Sequence, residues 1–428
     1  MVVLILKLWL GFVVLVMSLY AVRHFRFTHR RLYGWQRLFY QDIVDPDLPS
    51  LTVLVAMHDE EAIAERMLRN LLNCDYPAER LEVLVVDDHS TDSTAEILDR
   101  LAREQPLLEI IHVTGGDEPR GKPQALNRAL KQATGEVVLV FDADYFPARG
   151  ALRDLAICFK DPEVGAAMGR VIPSNTRKNL LTRLLDLERS GGYQIDQQAR
   201  HDLLLIPQYG GTVGGFRRDL VRSLDGFDPQ VLAEDTDLTF RLLSAGWKVV
   251  YANRVECYEE VPENWKTRAR QIRRWSRGHN RVLLRRLGGF LRSPYLTGRE
   301  KRDGFLLLWI YTVPFILLTG IVDSLILFFL GRMTLLPTAL MLLFVAGYNA
   351  FGNFAPFYQV GTAALLDGTT YRVRLLPMLM FYFLLNIWVM SVGLFDALVD
   401  TVFRREPHWQ KTLRSEHGET AGVKHAPR

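Results

Sequence analysis

The chain has 428 residues, 49% of them hydrophobic and 23% charged, with a net charge of +4 and a mean hydropathy of +0.03. That length exceeds one ordinary domain, and the hydropathy is high for so much charge, so the apolar residues must be concentrated in blocks. The small net charge, with no basic run interleaved with aromatics, excludes a nucleic-acid partner, and three scattered cysteines, Cys74, Cys158 and Cys257, exclude a disulfide framework.

The first block, 1–22, carries one charge, Lys7, and has the length of a bilayer-spanning helix. Arg23, Arg26, Arg30 and Arg31 follow the apolar stretch, whereas a cleaved leader carries its charges before it. The expectation is a retained transmembrane anchor whose C-terminal end is cytoplasmic.

Residues 50–260 contain no stretch able to cross a bilayer and form a cytosolic domain in this reading. Strands are expected at Leu51–Met57, Leu81–Val86, Leu108–Val113 and Glu136–Phe141. Helices are expected at Glu60–Asn73, Thr91–Glu104 and Gln124–Ala133. Short apolar runs alternating with helices indicate an α/β unit, Rossmann-like, with a mainly parallel sheet. Ligands of such sheets bind beyond the carboxyl ends of the strands.

Acids collect at those ends. Asp87 and Asp88 close one run, and Asp142 and Asp144 another. An acid after a strand often caps the next helix, a role that Ser90 or Asp92 can fill. Two pairs at equivalent ends exceed that need. Asp142-Ala143-Asp144 sets two carboxylates around a turn where both can face one cation or its waters, which suits Mg2+ or Mn2+ beside substrate phosphates. Further along, Asp235 stands before a helix expected at Thr236–Ala245, as its cap or as a general base. Gln271, Arg274 and Trp275 share one face of a later helix through their i, i+3, i+4 spacing. Segment 261–300, with Trp265, Lys266, Arg268, Arg270, Arg273 and Arg277, is expected to be amphipathic and to lie along a membrane surface.

Three apolar blocks, Phe305–Leu330, Leu335–Ala355 and Leu376–Phe403, make 305–403 a C-terminal transmembrane region, followed by a polar tail, 404–428. Asp323, Asn349, Asn353 and Asn386 are costly there and fit a polar path or a helix–helix contact. One N-terminal and three C-terminal spans would leave the basic tail outside, against the positive-inside rule. A re-entrant segment near Tyr358–Leu366 or an external tail is therefore expected.

In order and spacing these motifs resemble the processive membrane glycosyltransferases of GT-A fold, such as cellulose synthase, poly-N-acetylglucosamine synthase, hyaluronan synthase and chitin synthase. Val85–Asp92 resembles their uridine-binding strand end, Gly121–Asn127 their lysine-containing helix start, and Phe141–Asp144 their metal motif. Ala233-Glu234-Asp235 resembles their Thr-Glu-Asp segment, with alanine for threonine, and Gln271–Trp275 their Gln-x-x-Arg-Trp motif. The tail at Trp409–Arg414 resembles the basic ending of related synthases. Tyr209–Phe216 departs from the acceptor strand of the cellulose synthases.

The resemblance implies that Asp87, Asp88, Lys122, Asp142, Gln271 and Arg274 bind the nucleotide-sugar, and that Asp142 and Asp144 hold Mg2+ or Mn2+. It further implies that Asp235 is the catalytic base, supported by Glu234, and that Trp275 stacks on the acceptor. The implied reaction is inverting transfer from UDP-glucose or UDP-N-acetylglucosamine to a growing β-linked polysaccharide. The alternative is a single-sugar transferase acting on a lipid or lipid-linked acceptor. The implied setting is the plasma (inner) membrane, multi-pass, with the catalytic domain cytoplasmic. Its implied partners are the UDP-sugar, a glycan or lipid-linked acceptor, the bilayer and accessory subunits of a polysaccharide export system.

Overall fold

The aliphatic runs form strands that extend to the acids following them. The computed structural model describes residues 1–34, 47–115, 120–333 and 354–405. Helix α1 (Val2–Tyr33) leads into β1 (Leu51–Met57), α2 (Ala64–Leu72), β2 (Leu81–Asp88), α3 (Thr94–Glu104), β3 (Leu108–Val113), α4 (Lys122–Gln132) and β4 (Val137–Asp142). These four strands are parallel neighbours in the order β3-β2-β1-β4. The register sets Met57 of β1 beside Asp87 and Ala56 beside Asp142, so both acidic ends open at the same edge of the sheet.

Two helix starts differ from the sequence expectation. Residues 60–63 form a turn because the Glu60 and Glu61 amides donate to Thr94 Oγ1 and Asp92 Oδ2 at 2.8 and 3.1 Å, and α2 begins only at Ala64. The Asp92 carboxylate also accepts the Thr94 amide at 2.9 Å, and α3 starts at Thr94, three residues later than expected, with Ser93 at its N-cap.

The second half of the sheet is mixed. It contains β5 (Tyr145–Pro147), α5 (Ala151–Ile157), β6 (Val164–Pro173), α6 (Leu180–Ser190), a π-helical segment (Gly191–Gln197), α7 (Gln198–Asp202), β7 (Gly214–Arg217), α8 (Arg218–Ser223), α9 (Glu234–Ser244) and β8 (Lys248–Glu259). Strand β7 runs antiparallel between β4 and β6, while β6 and β8 are parallel. It approaches its neighbours so closely that a Cβ on Gly215 would stand 2.2 Å from the Val138 carbonyl oxygen, and one on Gly214 2.4 Å from that of Ala167. The two glycines are thus what the crowded centre of the sheet requires. Alternation along each strand feeds two cores. Val53, Val55, Leu139 and Phe141 pack toward α2 and α3, and Leu54, Leu84, Val138 and Val140 toward α4 and α9. Each such side chain contributes about 1.5–3 kcal/mol on burial.

The remaining helices are α10 (Trp265–Arg292), α11 (Gly298–Trp309), α12 (Val313–Phe329), α13 (354–366) and α14 (Leu376–Val402). Among the described residues, Val2–Tyr33 and Thr370–Val402 are long and apolar enough to cross a membrane. The Phe305–Leu330 block is not one straight span. It divides into α11 and α12, bent by 66°, with Pro314 in the first turn of α12, where a proline cannot continue the preceding helix. The helix read as 1–22 continues to Tyr33, and Arg23 is buried against Asp196 at 3.0 Å. The basic flank of α1 therefore packs partly on the α/β domain.

Helix α10 also departs from a simple surface helix. Arg268 is only 2% exposed, donating to Glu188 and to the Tyr382 hydroxyl, while Arg273 and Arg277 pair with Asp396 and Asp400 of α14. Asp323 is buried, and neither of its carboxylate oxygens has a hydrogen-bond partner among the described residues. Most of the Leu335–Ala355 block, with Asn349 and Asn353, and the tail from 406 onward with Trp409–Arg414, lie outside the described residues.

Candidate active site

A cleft of about 680 Å³ opens at the carboxyl edge of the sheet. Asp88, Lys122, Asp142, Asp144, Glu234 and Asp235 line its inner part, and Gln271, Arg274 and Trp275 close it from α10. Five of the sequence motifs therefore meet in one space.

The first motif divides between two tasks. Asp88 lines the cleft, with one oxygen accepting the Gly121 amide at 2.7 Å and the other facing His89 Nδ1 at 2.8 Å. His89 adopts a left-handed φ of 61° there, with Nε2 against the Gly115 carbonyl. Asp87 lies outside the cleft wall. It is 2% exposed and engaged by His112 Nδ1 at 2.9 Å and the Ser90 amide at 3.3 Å. Through these contacts it braces the loop after β2 beside Asp88.

Lys122 is the first residue of α4, and its ammonium is the hub of the inner cleft. It contacts Asp142 Oδ1 at 2.6 Å and Glu234 Oε1 at 3.5 Å, and donates to the Gly211 carbonyl at 2.9 Å. Burial works against its charge, but Asp142 and Glu234 outweigh it and hold the lysine above its ordinary range. Gly211 has φ +78°, and a Cβ there would meet Asp235 at 3.2 Å. The Tyr209–Phe216 segment thus supplies a glycine wall against the acids.

Among the described residues no group of three or more His, Cys, Asp or Glu side chains is placed to hold a metal ion. Magnesium and manganese bound through one or two carboxylates, substrate phosphates and water need no such cage. Asp142 and Asp144, both on the cleft wall at the end of β4, fit that donor set.

Glu234 and Asp235 occupy the first turn of α9. Burial raises both carboxyls above the ordinary range. Lys122 opposes the rise at Glu234, and the Thr236 amide and hydroxyl together with Lys122 oppose it at Asp235. Asp235 Oδ1 accepts the Thr236 amide at 2.6 Å. Asp237 does not join them. It is fully buried between Arg241 and Arg286, at 2.7 and 2.5 Å, and ties α9 to α10.

On α10, Gln271 accepts from Arg268 at 2.6 Å, and Arg274 forms no ion pair among the described residues. The guanidiniums of Arg189 and Arg268 each lie 5.1 Å from the centroid of the Trp275 ring. The ring meets cations as well as the cleft. Sequence reading missed Arg189, Tyr145, His279 and Tyr311, which also line the cleft. Arg189 and the Tyr145 hydroxyl both bind Glu259, at 2.6 Å each. On its far side the cleft reaches Leu307 and Ile310 at the α11–α12 break and Phe383 of α14.

The family model described as "Glycosyltransferase like family 2" matches residues 49–278, more than half of the chain. The chain is 27% identical over 401 residues to the "Probable glycosyltransferase YdaM" of Bacillus subtilis, with 92% of each chain covered. It is 34% identical over 245 residues to the "Beta-monoglucosyldiacylglycerol synthase" of Nostoc sp., covering 56% of this chain and 51% of that relative, about half its length. Identity to the "Poly-beta-1,6-N-acetyl-D-glucosamine synthase" of Staphylococcus aureus is 27% over 267 residues, or 61% of this chain and 62% of the other. The solved mannosyltransferase PcManGT from Pyrobaculum calidifontis, in complex with GDP-Man and Mn2+, shares the fold. Its TM-score is 0.59 at 24% identity, over 95% of this chain and 100% of that one.

Proposed function

The chain belongs to the glycosyltransferase family 2-like group, with a GT-A type α/β fold, and on that footing we propose that it transfers a sugar from a nucleotide-sugar, in one displacement, to an acceptor arriving from a membrane. The observation that carries this reading is the single cleft in which Lys122, Asp142 and Asp144 face Asp235 across the space closed by Arg274.

In that space the acceptor hydroxyl gives its proton to the Asp235 carboxylate as its oxygen attacks the anomeric carbon. The bond from that carbon to the diphosphate breaks, and the electron pair leaves on the phosphate oxygen. Lys122 and Arg274 are fixed cations for the growing negative charge. A divalent ion on Asp142 and Asp144, Mg2+ or Mn2+, supplies further neutralisation of the leaving diphosphate when bound. One displacement inverts the anomeric centre, so an α-linked donor yields a β-linked product. Asp87, Asp88, Lys122, Asp142, Gln271 and Arg274 form the donor side, with Asp87 bracing the loop beside Asp88, and Trp275 the acceptor side.

UDP-glucose or UDP-N-acetylglucosamine is the proposed donor and a growing β-linked polysaccharide the proposed product. The proposed setting is the plasma membrane, with the catalytic domain cytoplasmic and export subunits as neighbours, a reading supported by the length and apolar character of Val2–Tyr33 and Thr370–Val402. A second reading, addition of one sugar to a lipid, is favoured by the apolar end of the cleft at Leu307, Ile310 and Phe383. The test is a panel of radiolabelled UDP-glucose, UDP-N-acetylglucosamine and GDP-mannose given to membranes containing the full chain. Label entering the organic phase identifies a lipid product, and label in an ethanol-insoluble polymer a polysaccharide. No transfer from any donor, with metal present, refutes the proposal.

A further inference from the structure

The cleft-facing stripe of α10 does not end at Trp275. Four residues on, at the spacing that keeps side chains on one helix face, His279 also lines the cleft. Its imidazole is held on two sides. Nδ1 lies 2.9 Å from Thr236 Oγ1, and Thr236 is the residue whose amide binds Asp235. The ring stacks on Tyr311 with centroids 4.4 Å apart and planes inclined by 6°.

Tyr311 stands at the break between α11 and α12, and the break itself is tied to α10. Thr312 Oγ1 donates to Asn280 Oδ1 at 2.8 Å, and Asn280 Nδ2 donates to the Tyr311 carbonyl at 3.4 Å. With one nitrogen and one ring face fixed, the direction of His279 Nε2 is fixed as well. Among the described residues, neither His279 Nε2 nor the Tyr311 hydroxyl has a hydrogen-bond partner, although both residues line the cleft. Both residues are half-buried and open onto the cleft, so the two polar atoms can exchange water for a ligand.

We propose that His279 and Tyr311 form a subsite for an uncharged hydroxyl of the acceptor, next to the proton-accepting Asp235; this rests on the transferase reading above. Burial drives the imidazole down to about 4, so it is neutral at pH 7 and presents one donor and one acceptor nitrogen. A phenol likewise donates and accepts. Such a pair matches a hydroxyl, which does both, and is poorly suited to phosphate, for which Lys122 and Arg274 supply the cations. The hydroxyl belongs to a sugar of a glycan or to the head of a lipid.

Two substitutions at His279 separate its two nitrogens. His279→Asn keeps an amide at the Nδ1 position, and with it the Thr236 contact, but leaves the Nε2 position empty. His279→Gln reaches the Nε2 position. Tyr311→Phe removes only the hydroxyl and keeps the stack. Membranes containing each full-length variant receive radiolabelled UDP-glucose, UDP-N-acetylglucosamine or GDP-mannose, so the native acceptor is present whatever its identity. Label is counted as organic-phase lipid, ethanol-insoluble glycan and free sugar released by donor hydrolysis.

For His279→Asn and Tyr311→Phe the ratio of transfer to hydrolysis is expected to fall about tenfold, the scale of one lost hydrogen bond, with hydrolysis changed less than about twofold. His279→Gln is expected to recover to within about threefold of the wild type. The phase that loses label identifies the source of the hydroxyl, lipid or glycan. A His279→Asn ratio equal to that of an active wild type overturns the subsite and leaves His279 a structural brace. A parallel loss of transfer and hydrolysis overturns it too, because the residue then acts on the donor or the fold. A wild type that labels no product from any donor defeats the transferase reading itself, and the subsite with it.

Discussion

The proposed donor wall of the cleft, built by the carboxyl ends of β2 and β4 and the start of α4, is bonded to itself, whereas the proposed acceptor wall, built by α10 from Trp275 onward and the α11–α12 break, leaves polar groups open. On the donor wall Asp88 is held by His89 and Gly121, and Asp142 by Lys122. On the acceptor wall His279 Nε2 and the Tyr311 hydroxyl lack hydrogen-bond partners among the described residues. The difference teaches where each wall obtains its order. Strand ends in register hold acids close together before any ligand arrives, so the donor site is preorganised electrostatically. The other wall is held through contacts between helices distant in sequence, such as Ser276 Oγ to the Met390 carbonyl at 2.7 Å, and is completed by what it binds.

The sharpest break in this comparison is at Asp235, which stands between the walls. Asp235→Asn is expected to cut transfer by roughly 100-fold or more, the usual scale for a general base, while UDP binding measured by calorimetry persists. An equal loss of UDP affinity would move Asp235 to the donor wall. Next is the metal side. Asp144→Asn is expected to weaken Mn2+-dependent UDP binding at least 10- to 100-fold, the range seen for groups that merely support metal ligands, with the circular dichroism spectrum unchanged. Near-normal turnover without added metal would show the acids to be structural.

The acceptor wall should respond differently. Trp275→Ala is expected to shorten polymer, or lower lipid product, about tenfold through a loss on the order of 1.4 kcal/mol, with donor hydrolysis little changed. Trp275→Phe should fall between the two. Because Arg189 and Arg268 lie over the same ring, a loss of folded protein in place of product length would assign the tryptophan to their cation–π contacts instead.

The smallest effect expected is in pH. Burial raises Asp235, so transfer should decline as pH falls through a value above the usual 3.9 of an aspartate. A carboxyl raised in the folded state costs no stability below its unfolded value, an increasing amount between the two values, and the full amount above the raised one. Asp235→Asn should therefore melt higher than the wild type at pH 7, and the advantage should vanish near pH 4.

The donor wall was legible because its signals are local. An aliphatic run followed by acids fixes a strand end, and Asp142-Ala143-Asp144 needs no knowledge of distant chain. Even there, adjacency gives no orientation: side chains alternate along a strand, so Asp88 lines the cleft while Asp87 meets His112 and Ser90. The acceptor wall was mostly hidden. His279 and Tyr311 meet across 32 residues, with nothing in their local sequence to pair them. Arg268 was read as a surface charge because Glu188 and Tyr382, its partners, lie 80 and 114 residues away. Hydropathy averaged across Pro314 and so merged α11 and α12 into one span.

The stereochemistry of transfer tests the single displacement at Asp235 most directly. Full-length protein in its membranes is given an α-linked 13C-labelled UDP-sugar, or GDP-mannose if that is the donor accepted, with Mn2+. The one-bond carbon–proton coupling at the anomeric carbon of the purified product is then read by NMR. A β-linked product is expected, absent when Asp235→Asn protein is used. An α-linked product would mean retention, which one displacement with Asp235 as base cannot give.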